Sequence, residues 1–165
     1  MTLYSRSLAP ISADDLAYLA RVAHLDRIAF FSRNPRYRVL ADRVVAVALC
    51  QGAALHFLDG RNGIKDFDVW TFFAAHPDAT YPPRRMSSRL FGDHDTRSSP
   101  DHPEFVGRRV HLLGRSLRAD VNADPVKVLR QYLSERRTNS ARHLAEKAVI
   151  LIEPEDRLGI RVWPE

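Results

Sequence analysis

The chain has 165 residues, of which 45% are hydrophobic and 27% charged, a composition that suits one globular domain and excludes wholesale disorder. Its formal net charge of +5 suits a phosphate-bearing partner, nucleotide or nucleic acid. The single cysteine, Cys50, excludes an internal disulfide, and with neither an apolar run of transmembrane length nor a signal-peptide pattern the expected location is the cytoplasm, with no membrane partner.

Ser12 opens the first predicted helix. Its hydroxyl can cap, Asp14 and Asp15 fall in the first turn, and Asp15 sits at capping-box spacing. Leu16, Leu19, Val22, Ala23 and Phe30 recur at helical spacing, with Leu25, Ile28 and Phe31 widening the stripe. Asn34-Pro35 ends the helix. Val44 to Cys50 is a continuous apolar run, and periodicity leaves it open between a buried strand and the end of a helix. Cys50 within it reads as a buried, inert thiol. The small residues of Gln51-Gly52-Ala53-Ala54 permit a tight turn and close approach of backbone to a ligand. A short helix over 53–58 follows, stopped by Asp59-Gly60 and Asn62-Gly63.

The next stretch reads Lys65-Asp-Phe-Asp-Val-Trp-Thr-Phe. In a strand, residues two apart share a face, so Asp66 and Asp68 point the same way. Two carboxylates that close repel unless a cation sits between them, and such a pair suits a divalent ion whose shell is completed by substrate phosphates. The competing reading is a solvated edge strand.

Residues 75–107 shift to proline, serine, histidine and charge, a long polar loop that reads as a functional or mobile insertion. Arg109-Val-His-Leu-Leu reads as a second strand ended by Gly114. Asp124-Pro125 opens a helix with Val126, Leu129, Tyr132 and Leu133 inward. Thr138-Asn139-Ser140 restarts another, with Ala141, Leu144, Ala145, Ala148 and Ile152 inward and Pro154 closing it, so that C-terminal helices are expected over 124–153. The tail 158–164 adds a short extended segment.

Apolar segment, small-residue turn, short helix, acidic strand, loop and second strand follow one another in an order that can be placed. Residues 44–113 resemble the minimal core of the nucleotidyltransferase superfamily, the DNA polymerase β-like fold. Its signature is a hydrophobic residue, Gly, then Gly or Ser, a spacer, and a strand carrying Asp-hydrophobic-Asp or Glu. Gly52-Ala53 and Asp66-Phe67-Asp68 stand at those places. The resemblance implies an α+β fold, a small mixed sheet with flanking helices, as a single domain. It implies Asp66 and Asp68 as ligands of Mg²⁺ or Mn²⁺, and a nucleoside triphosphate as substrate. The reaction would transfer a nucleoside monophosphate to an acceptor hydroxyl on a small molecule, protein or RNA. Gln51, Gly52 and Ala53 would face the phosphates.

Two positions depart from the pattern. Ala53 replaces the usual Gly or Ser. His111 stands where a third carboxylate is expected on the second strand, and imidazole is a poor Mg²⁺ ligand without negative charge. Either another ion serves, or Glu104 or Asp101 substitutes, or the chain is a catalytically inactive nucleotide- or nucleic-acid-binding member. Arg84 and Arg85 could close over phosphates, Arg115 could position one from a turn after the second strand, and Lys147 could reach the triphosphate from a C-terminal helix. Each has an ordinary surface or turn role as its competitor. A strand lysine at Lys65 would face away from the aspartates. His94, Asp95, Asp101 and His102 match no structural zinc spacing.

Overall fold

The structure is a computed structural model that describes residues 5–92 and 102–165. Four α-helices and six strands follow along the described residues. They are α1 (Ala13–Arg33), β1 (Val44–Cys50), α2 (Gln51–Asp59), β2 (Phe67–Ala74), β3 (Ser87–Leu90), β4 (Arg109–Leu117), α3 (Pro125–Glu135), α4 (Asn139–Leu144), β5 (Val149–Glu153) and β6 (Arg161–Trp163). The strands form one sheet in the order β3-β4-β2-β1-β5-β6. Only β2 and β4 run parallel; every other neighbouring pair is antiparallel. The fold is therefore α+β, a mixed six-stranded sheet flanked by helices.

The central strands are apolar on both faces, which is why their sequences run as unbroken hydrophobic stretches instead of alternating. On one face Val47, Leu49, Phe67, Val69 and Ile150 pack against α1 and α2. On the other, Ala48, Cys50, Trp70, Phe72 and Leu151 pack against α3 and α4. The α1 stripe is amphipathic as the pattern requires: Leu16, Leu19, Val22, Ala23, Phe30 and Phe31 are buried, Leu25 is half-buried, and Ile28 points outward. Ser12 and Asp15 close a reciprocal capping box at its start, and Asn34 ends it. Asp124 caps α3 through its side chain, with Pro125 in the first turn.

Three expected elements differ. The helix anticipated over 139–153 stops at Leu144, and Val149–Glu153 is instead strand β5, paired with β1. Val149, Ile150, Leu151 and Ile152 are all buried. Burial on both faces erases the alternation that distinguishes a strand from a helix. Gly114 does not end the second strand, because β4 continues to Leu117. A Cβ at Gly114 would lie 2.7 Å from Tyr81 Cε1, so the glycine makes room for that ring within the sheet. The polar stretch 75–107 contains an ordered edge strand, β3, antiparallel to β4, and a 3-10 turn at Pro103–Phe105 whose Phe105 is buried against Phe67 and Phe91. No described helix is long and apolar enough to cross a membrane.

Candidate functional site

The site forms where β1 passes into α2, next to the start of β2. Gln51, the junction residue, has φ 63, a left-handed conformation costly for a residue with a Cβ. It is held on both sides: its N–H donates to Ala148 O at 3.1 Å and its Nε2 donates to His143 O at 3.3 Å. No side chain caps α2, so beyond the Gln51 N–H, which Ala148 O takes, the N–H groups of its first turn face an anion site without a side-chain partner. At the next residue, Gly52, an added Cβ would be crowded, 3.0 Å from Asn62 Nδ2, with Arg6 Nη1 at 3.8 Å and Lys147 Nζ at 4.0 Å.

Asp66 lies one residue before β2 and Asp68 within it. Both line a cavity of about 260 Å³ together with Gln51, Gly52, Ala53 and Lys147. Asp66 and Asp68 line the same cavity as Gly52, which lies in the first turn of α2, whereas His111, expected to converge with them, is not among the lining residues. Arg6, Lys65 and His143 also line the cavity. Lys65 sits in the bend ahead of the strand rather than in it, so it joins the aspartates instead of facing away. Three permanent cations thus surround two carboxylates. Among the described residues none of Arg6, Lys65 and Lys147 is in an ion pair.

His111 is directly opposite Asp68 in the parallel β2–β4 register. Its Nδ1–H donates to Asp68 Oδ1 at 3.1 Å. Burial pushes the Asp68 carboxyl above the ordinary aspartate value, and His111 offsets part of that rise. The imidazole therefore supplies a hydrogen bond where a third carboxylate would add repulsion. On the same row Cys50 pairs across β1 with Asp68; it is fully buried, and burial followed by the Asp68 charge raises its thiol, as expected of an inert cysteine.

Three anticipated phosphate residues are elsewhere. Arg85 donates to both Asp26 oxygens, at 3.0 and 3.2 Å, and lies 4.1 Å over the Phe30 ring. It fastens the 82–87 segment to α1. Arg84 is exposed outside the cavity. Arg115 is a strand residue that donates to Ser140 Oγ at 2.9 Å and to Pro83 O at 2.7 Å, so it ties α4 to the sheet. Glu104 sits in the 3-10 turn on the α1 face and does not replace the missing carboxylate. His94, Asp95 and Asp101 lie outside the described residues, and His102 Nε2 is 3.4 Å from Asp15 Oδ2. Among the described residues no group of three or more His, Cys, Asp or Glu side chains converges as a metal site.

Several contributors to the site were missed by the sequence reading. Arg6 reaches the cavity because Ser7 and Ile64 form a β-bridge. Buried His56 secures that bridge: Gly63 N–H donates to its Nδ1 at 2.9 Å, so Nε2 carries the hydrogen and donates to Ala9 O at 2.9 Å. Asn62 closes the rim by donating to Gly52 O at 3.0 Å. The paired turn signals Asp59-Gly60 and Asn62-Gly63 were visible, but what they hold was not. No family model, no curated protein and no solved structure matches the chain.

Proposed function

We propose that the chain is a nucleotidyltransferase-like domain that binds a nucleoside triphosphate through its phosphates, in the cavity between the α2 N-terminus and β2. The observation that carries this reading is the convergence of Asp66 and Asp68 with the Gly52 turn and Lys147 in one cavity. The uncapped α2 N-terminus, Arg6, Lys65 and Lys147 together form an anion site. A polyphosphate would neutralise cations that have no carboxylate partner among the described residues.

Asp66 and the free oxygen of Asp68 fit a single Mg²⁺ or Mn²⁺, with oxygens of phosphate and water filling the rest of the shell. They do not fit a pair of ions, because β4 offers His111 in place of a third carboxylate. When bound, such an ion neutralises phosphate charge and polarises the phosphoryl oxygens. The chain's own groups orient the tail: backbone N–H groups at the start of α2, with Lys147 and Arg6 beside them. His111 fixes the Asp68 carboxylate. The transfer of a nucleoside monophosphate to an acceptor hydroxyl is the activity that this arrangement supports. A second reading, a nucleotide-binding member without transfer, is favoured by the commitment of one Asp68 oxygen to His111. Incubation with α-³²P-labelled nucleoside triphosphates, Mn²⁺ and candidate acceptors separates the two. Label on an acceptor, lost in Asp66→Asn, supports transfer; nucleotide binding without label supports the second reading.

A further inference from the structure

A second basic region lies on the α1 face of the sheet, at the β3 edge. A groove of about 550 Å³ runs between the end of α1, the turn at 34–37 and β3. Arg33, Arg85, Arg89, Phe30 and Tyr37 line it, and Asp26 is its one acidic lining residue. Asp26 is already neutralised: Arg85 holds both of its oxygens, Ser87 Oγ donates to Oδ1 at 2.6 Å, and Arg89 Nε stands 4.0 Å away. Arg33 is exposed and, among the described residues, has no ion pair. Beside it Phe30 stacks on Tyr37 at 5.3 Å between centroids, and the exposed Arg36 guanidinium lies 4.5 Å over the Tyr37 ring.

We propose that this groove binds single-stranded nucleic acid, with backbone phosphates on Arg33 and Arg89 and a base against the Tyr37–Arg36 tier. Arginines favour phosphate contacts, and aromatic rings and guanidinium planes stack unpaired bases whatever their identity. A duplex hides those base faces, so single strands are preferred. The groove shares no lining residue with the Asp66–Asp68 cavity, and the inference stands apart from the nucleotide reading.

Fluorescence anisotropy of the full chain tests it with a labelled oligouridylate of about 12 nucleotides and an RNA duplex of equal length. The single strand should bind more tightly. With two phosphates neutralised, affinity should fall about sevenfold between about 50 and 200 mM salt. The double variant R33E/R89E, shown folded by its melting curve, should bind at least about tenfold more weakly. Arg36→Lys keeps the charge but loses the planar group, and should weaken binding about threefold or more. Arg6→Glu in the other cavity should leave it unchanged. Absence of binding at low salt would overturn the proposal, as would indifference to R33E/R89E, equal binding of the duplex, or loss on Arg6→Glu instead. Inorganic polyphosphate binding as well as the oligonucleotide, with Arg36→Lys unaffected, would make the groove a general polyanion site and overturn the nucleic-acid assignment.

Discussion

His111→Asp converts the hydrogen-bonded His111–Asp68 pair into two facing carboxylates with Asp66 beside them. Directly opposed residues on neighbouring strands are separated by the strand spacing, about 5 Å. At an effective dielectric of about 20, two unit charges at that distance repel by about 3 kcal/mol. The side chains of His111 and Asp68 are 24% and 32% exposed, so solvent screening reduces this to about 2 kcal/mol. For a domain of this length, that lowers Tm by about 4–8 °C. A divalent cation bridging the carboxylates reverses the effect by mass action, contributing about 2.7 kcal/mol at one hundred times its Kd. Differential scanning fluorimetry in EDTA and in a Mg²⁺ or Mn²⁺ series reads both effects. The expected result is a destabilised variant in EDTA that gains more Tm from the metal than the wild type does. A variant as stable as wild type in EDTA, or one that responds to metal no more than wild type, would refute the reasoning.

Asp68→Asn keeps an acceptor for His111 and removes a charge whose burial is unfavourable. Because the folded-state pKa of Asp68 is raised, folding takes up a proton between the ordinary value of 3.8 and the higher folded value, and stability falls as pH rises through that window. In EDTA, Asp68→Asn should therefore be the more stable protein at neutral pH, with the gap closing as pH falls towards 3.8; a pH series of thermal melts that shows no gap at neutrality contradicts this. Gly114→Ala would drive a methyl to 2.7 Å from the Tyr81 ring, which is fixed by stacking on Phe73 at 5.0 Å. Overpacking of this kind costs about 1–3 kcal/mol, and a urea midpoint equal to that of wild type would refute it. Asp26→Asn leaves the partly buried Arg85 without its counter-ion and should cost about 3 kcal/mol, the lower end for a buried pair because Arg85 is 19% exposed. Chemical denaturation measures it, and a loss below about 1 kcal/mol, typical of an exposed pair, would show that the pair is solvated.

The local signals in the sequence carried much of the architecture. The capping box and apolar stripe defined α1, and the turn signals around Asp59-Gly60 closed α2. The Gly52-to-Asp68 spacing identified residues that the fold brings together, and Lys147 reaches them although it lies in a turn before a strand rather than on a helix. What failed was non-local. Strand β5 is buried on both faces, and a run such as Val149-Ile-Leu-Ile has no period to reveal. Arg85 was open between a phosphate ligand and a solvated surface arginine because its partner, Asp26, is far away in sequence on α1. Strand β3 was hidden in a polar loop because an edge strand of four residues, Ser87-Ser-Arg-Leu, needs little apolar patterning. Arg6 depended on a single β-bridge and on His56, whose neutral tautomer is set by two backbone partners that only the folded chain supplies.

The most direct test of the nucleotide-binding reading is isothermal titration calorimetry of the chain with ATP and with inorganic tripolyphosphate, in Mg²⁺. Wild type should bind both ligands, Lys147→Ala and Arg6→Ala should each weaken both, and Asp66→Ala with Asp68→Ala should abolish the metal dependence of ATP binding. Each lost charge-assisted contact is worth about 1.5–3 kcal/mol, or about 10- to 150-fold in Kd. No heat with wild type, or ATP affinity indifferent to all four substitutions, would contradict the assignment of the cavity.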